Sequence, residues 1–217
     1  MTDHVKQMLE LMRSREYRKQ RIRRSYDIPG FNEVDEFRQS TWMMEEMLAR
    51  QEPLLFDGDI FGFNRYCVDG PGSDAVSHVV IDGAKFFERY SNITPAFQLV
   101  IDRGIDSVMA ELDSKLPGVT GDSLRFLQEA KHQLLCVLQL ADRYRTAAEN
   151  KGITVLAEAL KNIPRKAPRN FYEALVFLKL LVFVLRCSNY KHLTLGRFDQ
   201  YMKPYYDMDK AAGKTDA

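Results

Sequence analysis

The sequence predicts a mainly α fold with a few short strands. Three observations carry that prediction. Long stretches place apolar residues at spacings of three and four, the period of one helix face. Capping residues, and Gly or Pro stops, stand at the ends of those stretches. Extended runs are confined to pieces of a few residues, at 54–56, 60–66, 79–81 and 193–195.

The elements follow in order. Residues 3–24 read as a helix capped by Thr2, with Val5, Met8, Leu9 and Met12 on its apolar face. Its second half, RSREYRKQRIRR, holds seven basic residues against Glu16 alone, and residues 25–60 answer with nine acids against Arg38 and Arg50. A solvated basic face, docked on that acidic stretch, accounts for this without a nucleic-acid partner, because aromatic interleaving stops at Tyr17 and no groove-binding motif follows. Pro29-Gly30 then separates an N-terminal basic helix (1–30) from the main domain (31–217). Asn32 is expected to cap a helix running through Arg50, with Val34, Phe37, Thr41, Met44 and Leu48 on one side and Met43 and Met47 as core filler. Leu54–Phe56 and Ile60–Tyr66 read as two short strands around the tight turn Asp57-Gly58-Asp59. Gly70-Pro71-Gly72 marks a loop, and Val79–Ile81 a brief strand.

Thr94 with Pro95 at the first helical position predicts the next helix, whose stripe is Phe97, Val100, Ile101, Ile105, Val108 and Leu112. Gly104 falls inside it. A glycine there costs about 1 kcal/mol against alanine, so it signals close approach to another backbone. Asp122 is expected to cap the longest helix, 123–150, with Leu124, Leu127, Leu134, Leu138 and Ala141 buried and Gly152 just past its end. Thr154 starts a short helix that stops before Pro164. Asn170 and Glu173 stand at capping-box spacing ahead of FYEALVFLKLLVFVL, a run so apolar that every side should be enclosed. That run carries Glu173 and Lys179 and is shorter than the ~20 residues a membrane span needs.

Composition narrows the function. Thirty-one Lys and Arg balance thirty Asp and Glu, with 45% hydrophobic residues, which argues for a globular protein and against a dedicated nucleic-acid or polybasic membrane binder. Cys67, Cys136 and Cys187 form no CxxC pair and no disulfide framework, and the amino terminus has no signal-type apolar core, so a cytoplasmic location is expected. His4, His78, His132 and His192 stand far apart, without metal-ligand spacing. No phosphate loop, nucleophile elbow or zinc-protease motif occurs. A polar cluster follows the apolar helix: Arg197, Asp199, Tyr201, Tyr205 and Tyr206. Arg197 and Asp199 read as a structural ion pair or as the lining of a cleft.

PRNFYEAL, the apolar helix behind it, and LGRFDQYMKPYYDMDKAAGK together resemble the glycyl radical enzymes, the family of pyruvate formate-lyase and the diol, glycerol and hydroxyproline dehydratases. The matching positions are Pro168, Phe171 or Tyr172, Glu173, Ala174, Leu175, Gly196, Arg197, Asp199, Gln200, Tyr201, Pro204, Tyr205 and Tyr206. LLFDGDIFGFNR and SNITPAFQLVIDRGIDSVMAEL resemble the family's earlier pieces, and the order fits across about residues 30–217. The resemblance implies a ten-stranded α/β barrel of which this chain is the incomplete, N-terminal helical part. It implies a C-terminal glycine made into a backbone radical by an activase that uses S-adenosylmethionine and a [4Fe–4S] cluster. That radical oxidises a cysteine on a second loop, and the resulting thiyl attacks a small polar metabolite.

Both loops lie downstream of the GRFDQY segment in the family, and all three cysteines here precede it. The chain is therefore expected to hold no catalytic residue, no metal and no cofactor of its own. A truncated gene, a split gene or a cut piece would all give it. The expected partners are a complementing C-terminal chain and the activase, with homo-oligomer formation left open, and neither nucleic acid nor membrane. Asn189, His192 and Thr194, just before the motif, are the expected substrate-pocket residues. Arg197, Asp199, Tyr201 and Tyr205 are expected to brace the barrel wall. Such a part should also expose a large apolar patch near residues 175–206, with its tyrosines turned away from its own interior. The alternative is a non-catalytic helical interaction module with a closed surface.

Overall fold

The computed structural model describes residues 3–14, 29–49, 51–64, 79–81, 84–86, 92–188, 190 and 192–214. In chain order these form α1 (Asp3–Ser14), α2 (Glu36–Ala49), β1 (Val79–Ile81), β2 (Ala84–Phe86), α3 (Phe97–Ile101), α4 (Ile105–Lys115), α5 (Gly121–Asn150), α6 (Thr154–Leu160), α7 (Phe171–Cys187) and α8 (Phe198–Ala211). The strands make one antiparallel hairpin with Val80 opposite Lys85. The mainly helical expectation therefore holds, and β1 lies where it was predicted. The ten-stranded barrel has no counterpart among the described residues. The Thr2 cap, the basic stretch after Ser14, the Gly70–Gly72 loop, Cys67 and His78 lie outside them.

α5 is the axis of the core. Its 30 residues span roughly 45 Å. It packs against α2 and α6, while α7 packs against α8, α3 and α2. Tyr144, Leu140, Ile101, Ile105, Leu156, Ile163, Phe177 and Leu180 are sealed from solvent. Each such aliphatic or aromatic side chain contributes about 1.5–3 kcal/mol relative to leaving it exposed. Burial on α5 begins at Cys136. Leu124, Leu127 and Leu134, predicted as buried, are only half-buried.

Several predicted caps move. Asp35, not Asn32, caps α2, its Oδ1 accepting from Arg38 N at 3.0 Å. Asn32 instead sits in a short 3₁₀ turn, Phe31–Glu33. Asp122 lies in the first turn of α5 rather than at its cap, where its charge still suits the positive end of the helix. Thr94 caps nothing, and its hydroxyl turns to Thr194.

The single helix predicted after Pro95 is two helices, broken at Gly104. That residue has φ 75°, and a Cβ on it would lie 2.4 Å from the carbonyl oxygen of Arg165. The close backbone approach inferred from the glycine is present, but it ends a helix rather than interrupting one. The reward is a cap made of backbone: Pro164 O accepts from Ile105 N at 2.8 Å, and Arg165 O from Asp106 N at 3.0 Å. These satisfy two of the donors that open α4.

Neither strand predicted at 54–56 and 60–66 forms among the described residues. Gly62 and Phe63 both take positive φ, which extended backbone cannot hold. The segment satisfies its polar backbone through side chains instead. Asn64 Nδ2 donates to Leu54 O (3.1 Å), Lys151 Nζ to Leu55 O (2.7 Å) and the Tyr172 hydroxyl to Ile60 O. The Asp57-Gly58-Asp59 turn forms as read.

Candidate functional site

The expected pocket residues lie on a seam between two extended stretches. Ile93 and Leu193 form an isolated parallel bridge. His192 O accepts from Asn92 N (2.8 Å) and Ile93 N (3.3 Å), and Thr194 N donates to Ile93 O (3.1 Å). The hydroxyls of Thr94 and Thr194 meet at 2.6 Å across it. His192 and Thr194 are both exposed, and Asn189 lies outside the described residues. Gly196 follows with φ 65°, and a Cβ there would stand 2.9 Å from Thr94 Cγ2. The seam thus leaves room only for glycine at the first position of the GRFDQY run.

α8 carries the remaining motif residues. Arg197 and Asp199 are exposed at its N-terminus and share no ion pair with each other among the described residues. Tyr201 and Tyr205 face the other way, 5% and 8% exposed. The Tyr201 hydroxyl donates to Leu195 O at 2.8 Å, and that of Tyr205 to Asp102 Oδ1 at 3.1 Å. Burial holds both phenols above their ordinary range, with the Asp102 charge adding to the effect at Tyr205. The expectation of outward tyrosines is corrected for these two; Tyr206 is exposed. The large apolar patch near 175–206 is corrected as well. Leu195 and Tyr206 are the only large exposed apolar residues described there, because α8 and the core cover most of α7.

Sequence reasoning passed over a second cluster, against the middle of α7. Asp59 is 2% exposed, and its Oδ1 accepts from Phe61 N (3.0 Å) and Gly62 N (3.1 Å). Its Oδ2 accepts from the Asn64 amide, whose own oxygen accepts from Lys179 Nζ at 3.2 Å. Lys179 also stands 5.7 Å from the centre of the Phe61 ring. Burial draws the lysine's pKa below 10.5, and the Asp59 charge opposes that. The available signal was a lysine in an otherwise apolar helix opposite an Asp-Gly-Asp turn. It served only to argue against a membrane span.

A cleft of ≈ 520 Å³ opens between α2 and α5, lined by Glu45, Leu48, Ala49, Cys136, Gln139, Asp142 and Arg143. None of the expected site residues that are described lines it. Burial pushes the Cys136 thiol up to about 11, so it stays protonated near neutral pH and behaves as a small hydrophobe. Among the described residues no group of three or more His, Cys, Asp or Glu is placed to hold a metal, and no helix is long and apolar enough to cross a membrane.

Comparison with known proteins follows this geometry. The chain is 22% identical over 159 residues to isethionate sulfite-lyase of Desulfovibrio desulfuricans, covering 64% of this chain and 19% of that protein. It is 25% identical over 137 residues to the probable dehydratase YbiW of Escherichia coli, covering 55% of this chain and 17% of that one. It therefore spans under a fifth of the length of these curated relatives. Among solved structures, a glycyl radical enzyme from Archaeoglobus fulgidus superposes with TM-score 0.56 at 23% identity, over 59% of this chain and 19% of that one. The hydroxyproline dehydratase of Clostridioides difficile gives 0.52 at 18% identity, over 58% and 18%. Residues 62–217 match the model described as pyruvate formate lyase-like. With most of its length inside that match, the chain belongs to the pyruvate formate lyase-like family, as its PRNFYEAL and GRFDQY segments indicated.

Proposed function

We propose that this chain is the N-terminal, largely helical part of a glycyl radical lyase or dehydratase that acts on a small polar metabolite. The observation that carries the reading is the family match over residues 62–217. The parallel bridge between Ile93 and Leu193 supports it, because a parallel pair is normally buried within a larger α/β sheet. The radical-bearing glycine and the thiyl-forming cysteine belong to a part outside these 217 residues, supplied by the rest of the polypeptide or by a complementing chain. The radical itself comes from an activase carrying the iron–sulfur cluster and S-adenosylmethionine. This chain's own residues build wall and seam: His192 and Thr194 border the pocket, while Tyr201 and Tyr205 anchor α8. Alone, the chain carries out no radical chemistry, and it works in the cytoplasm.

The test has two steps. Coding sequence beyond codon 217, or in a neighbouring frame, should contain the two loops, with an activase gene nearby. The chain, the activase and the loop-bearing polypeptide are then combined and frozen for electron paramagnetic resonance. A glycyl doublet should require all three components. A doublet from the chain and activase alone would refute the reading, and so would the absence of both loops from the locus. A second reading, a non-catalytic helical interaction module, draws on one observation: Tyr201 and Tyr205 close into this chain's own core. It expects no partner bearing the loops and no radical under any combination.

A further inference from the structure

We draw no further inference here: the strongest candidate, the cleft between α2 and α5, carries none, because the charges on its rim are already met inside the chain (Glu45 by Arg38 at 3.6 Å, Asp142 by Arg165 at 3.3 Å, Arg143 by the Leu48 and Ala49 carbonyls) and nothing in the structure shows what would occupy it.

Discussion

The two ends of one stretch of α7 treat charge in opposite ways. At its first turn, Asn170 Oδ1 accepts from Glu173 N at 2.8 Å, and Asp209 from α8 accepts from Phe171 N at 2.9 Å. The Glu173 carboxylate, 2% exposed, takes the Arg169 amide (2.8 Å), its guanidinium and the Asn162 amide (2.9 Å). Three elements converge there, and each polar group finds a partner inside the chain. Two turns on, Lys179 has an amide oxygen and a ring face. A first turn closed on itself is structural. The mid-helix cation answers the Asp59 carboxylate only through the Asn64 amide between them.

The largest expected effect tests the closed end. Glu173→Ala takes the acceptor from the Arg169 backbone amide and the Asn162 amide and should cost about 3 kcal/mol in urea unfolding. A loss under ~1 kcal/mol would mean that water replaces the carboxylate and the first turn is not closed. Asp209→Ala removes an α7 cap supplied by α8 and should cost about 1–2 kcal/mol. Tyr205→Phe, which unties α8 from Asp102 while keeping the ring, should cost about 1 kcal/mol.

The smallest effect is expected at the open end. Lys179→Met loses the ammonium's hydrogen bond to a neutral amide oxygen but removes a charge that burial disfavours, so stability should change by less than about 1 kcal/mol. A loss as large as that of Glu173→Ala would erase the contrast. The pH dependence sharpens it further. Lys179 has a folded pKa below its ordinary 10.5, so in that window the unfolded chain binds the extra proton. Wild-type stability should therefore rise with pH on the approach to 10.5. Lys179→Met should lack that rise when both are measured by denaturant midpoint. Tyr201 and Tyr205 shift upward from 10, so their contribution is flat below that value and falls above it.

How much of this was legible depends on the kind of signal. Helices written in period and punctuation were readable: α6 after Thr154, α7 behind Asn170, and the end of α5 before Gly152. Gly104 was readable as a close approach but not as a boundary, because the carbonyls that cap α4 come from residues 164 and 165, sixty positions away. Residues 54–64 look like strands because alternation and aromatics are shared by strands and by loops folded onto a core. What decides between them is the pairing of Asn64, Lys151 and Tyr172 with that backbone, which is tertiary. The motif at α8 was readable as a family mark. The inward turn of Tyr201 and Tyr205 was not, since an apolar helix followed by tyrosines says nothing of which side the partner stands on. Lys179 was visible as an anomaly but had no partner nearby in sequence, Asn64 being 115 residues away.

The bridge at Ile93 and Leu193 has a topological consequence. Some hundred residues depart and return at neighbouring points, like a cassette with both terminals on one edge. The segment so enclosed holds α3 to α7, and α2 and α8 pack onto it from outside, so the bridge ties off the stretch that carries most of the core.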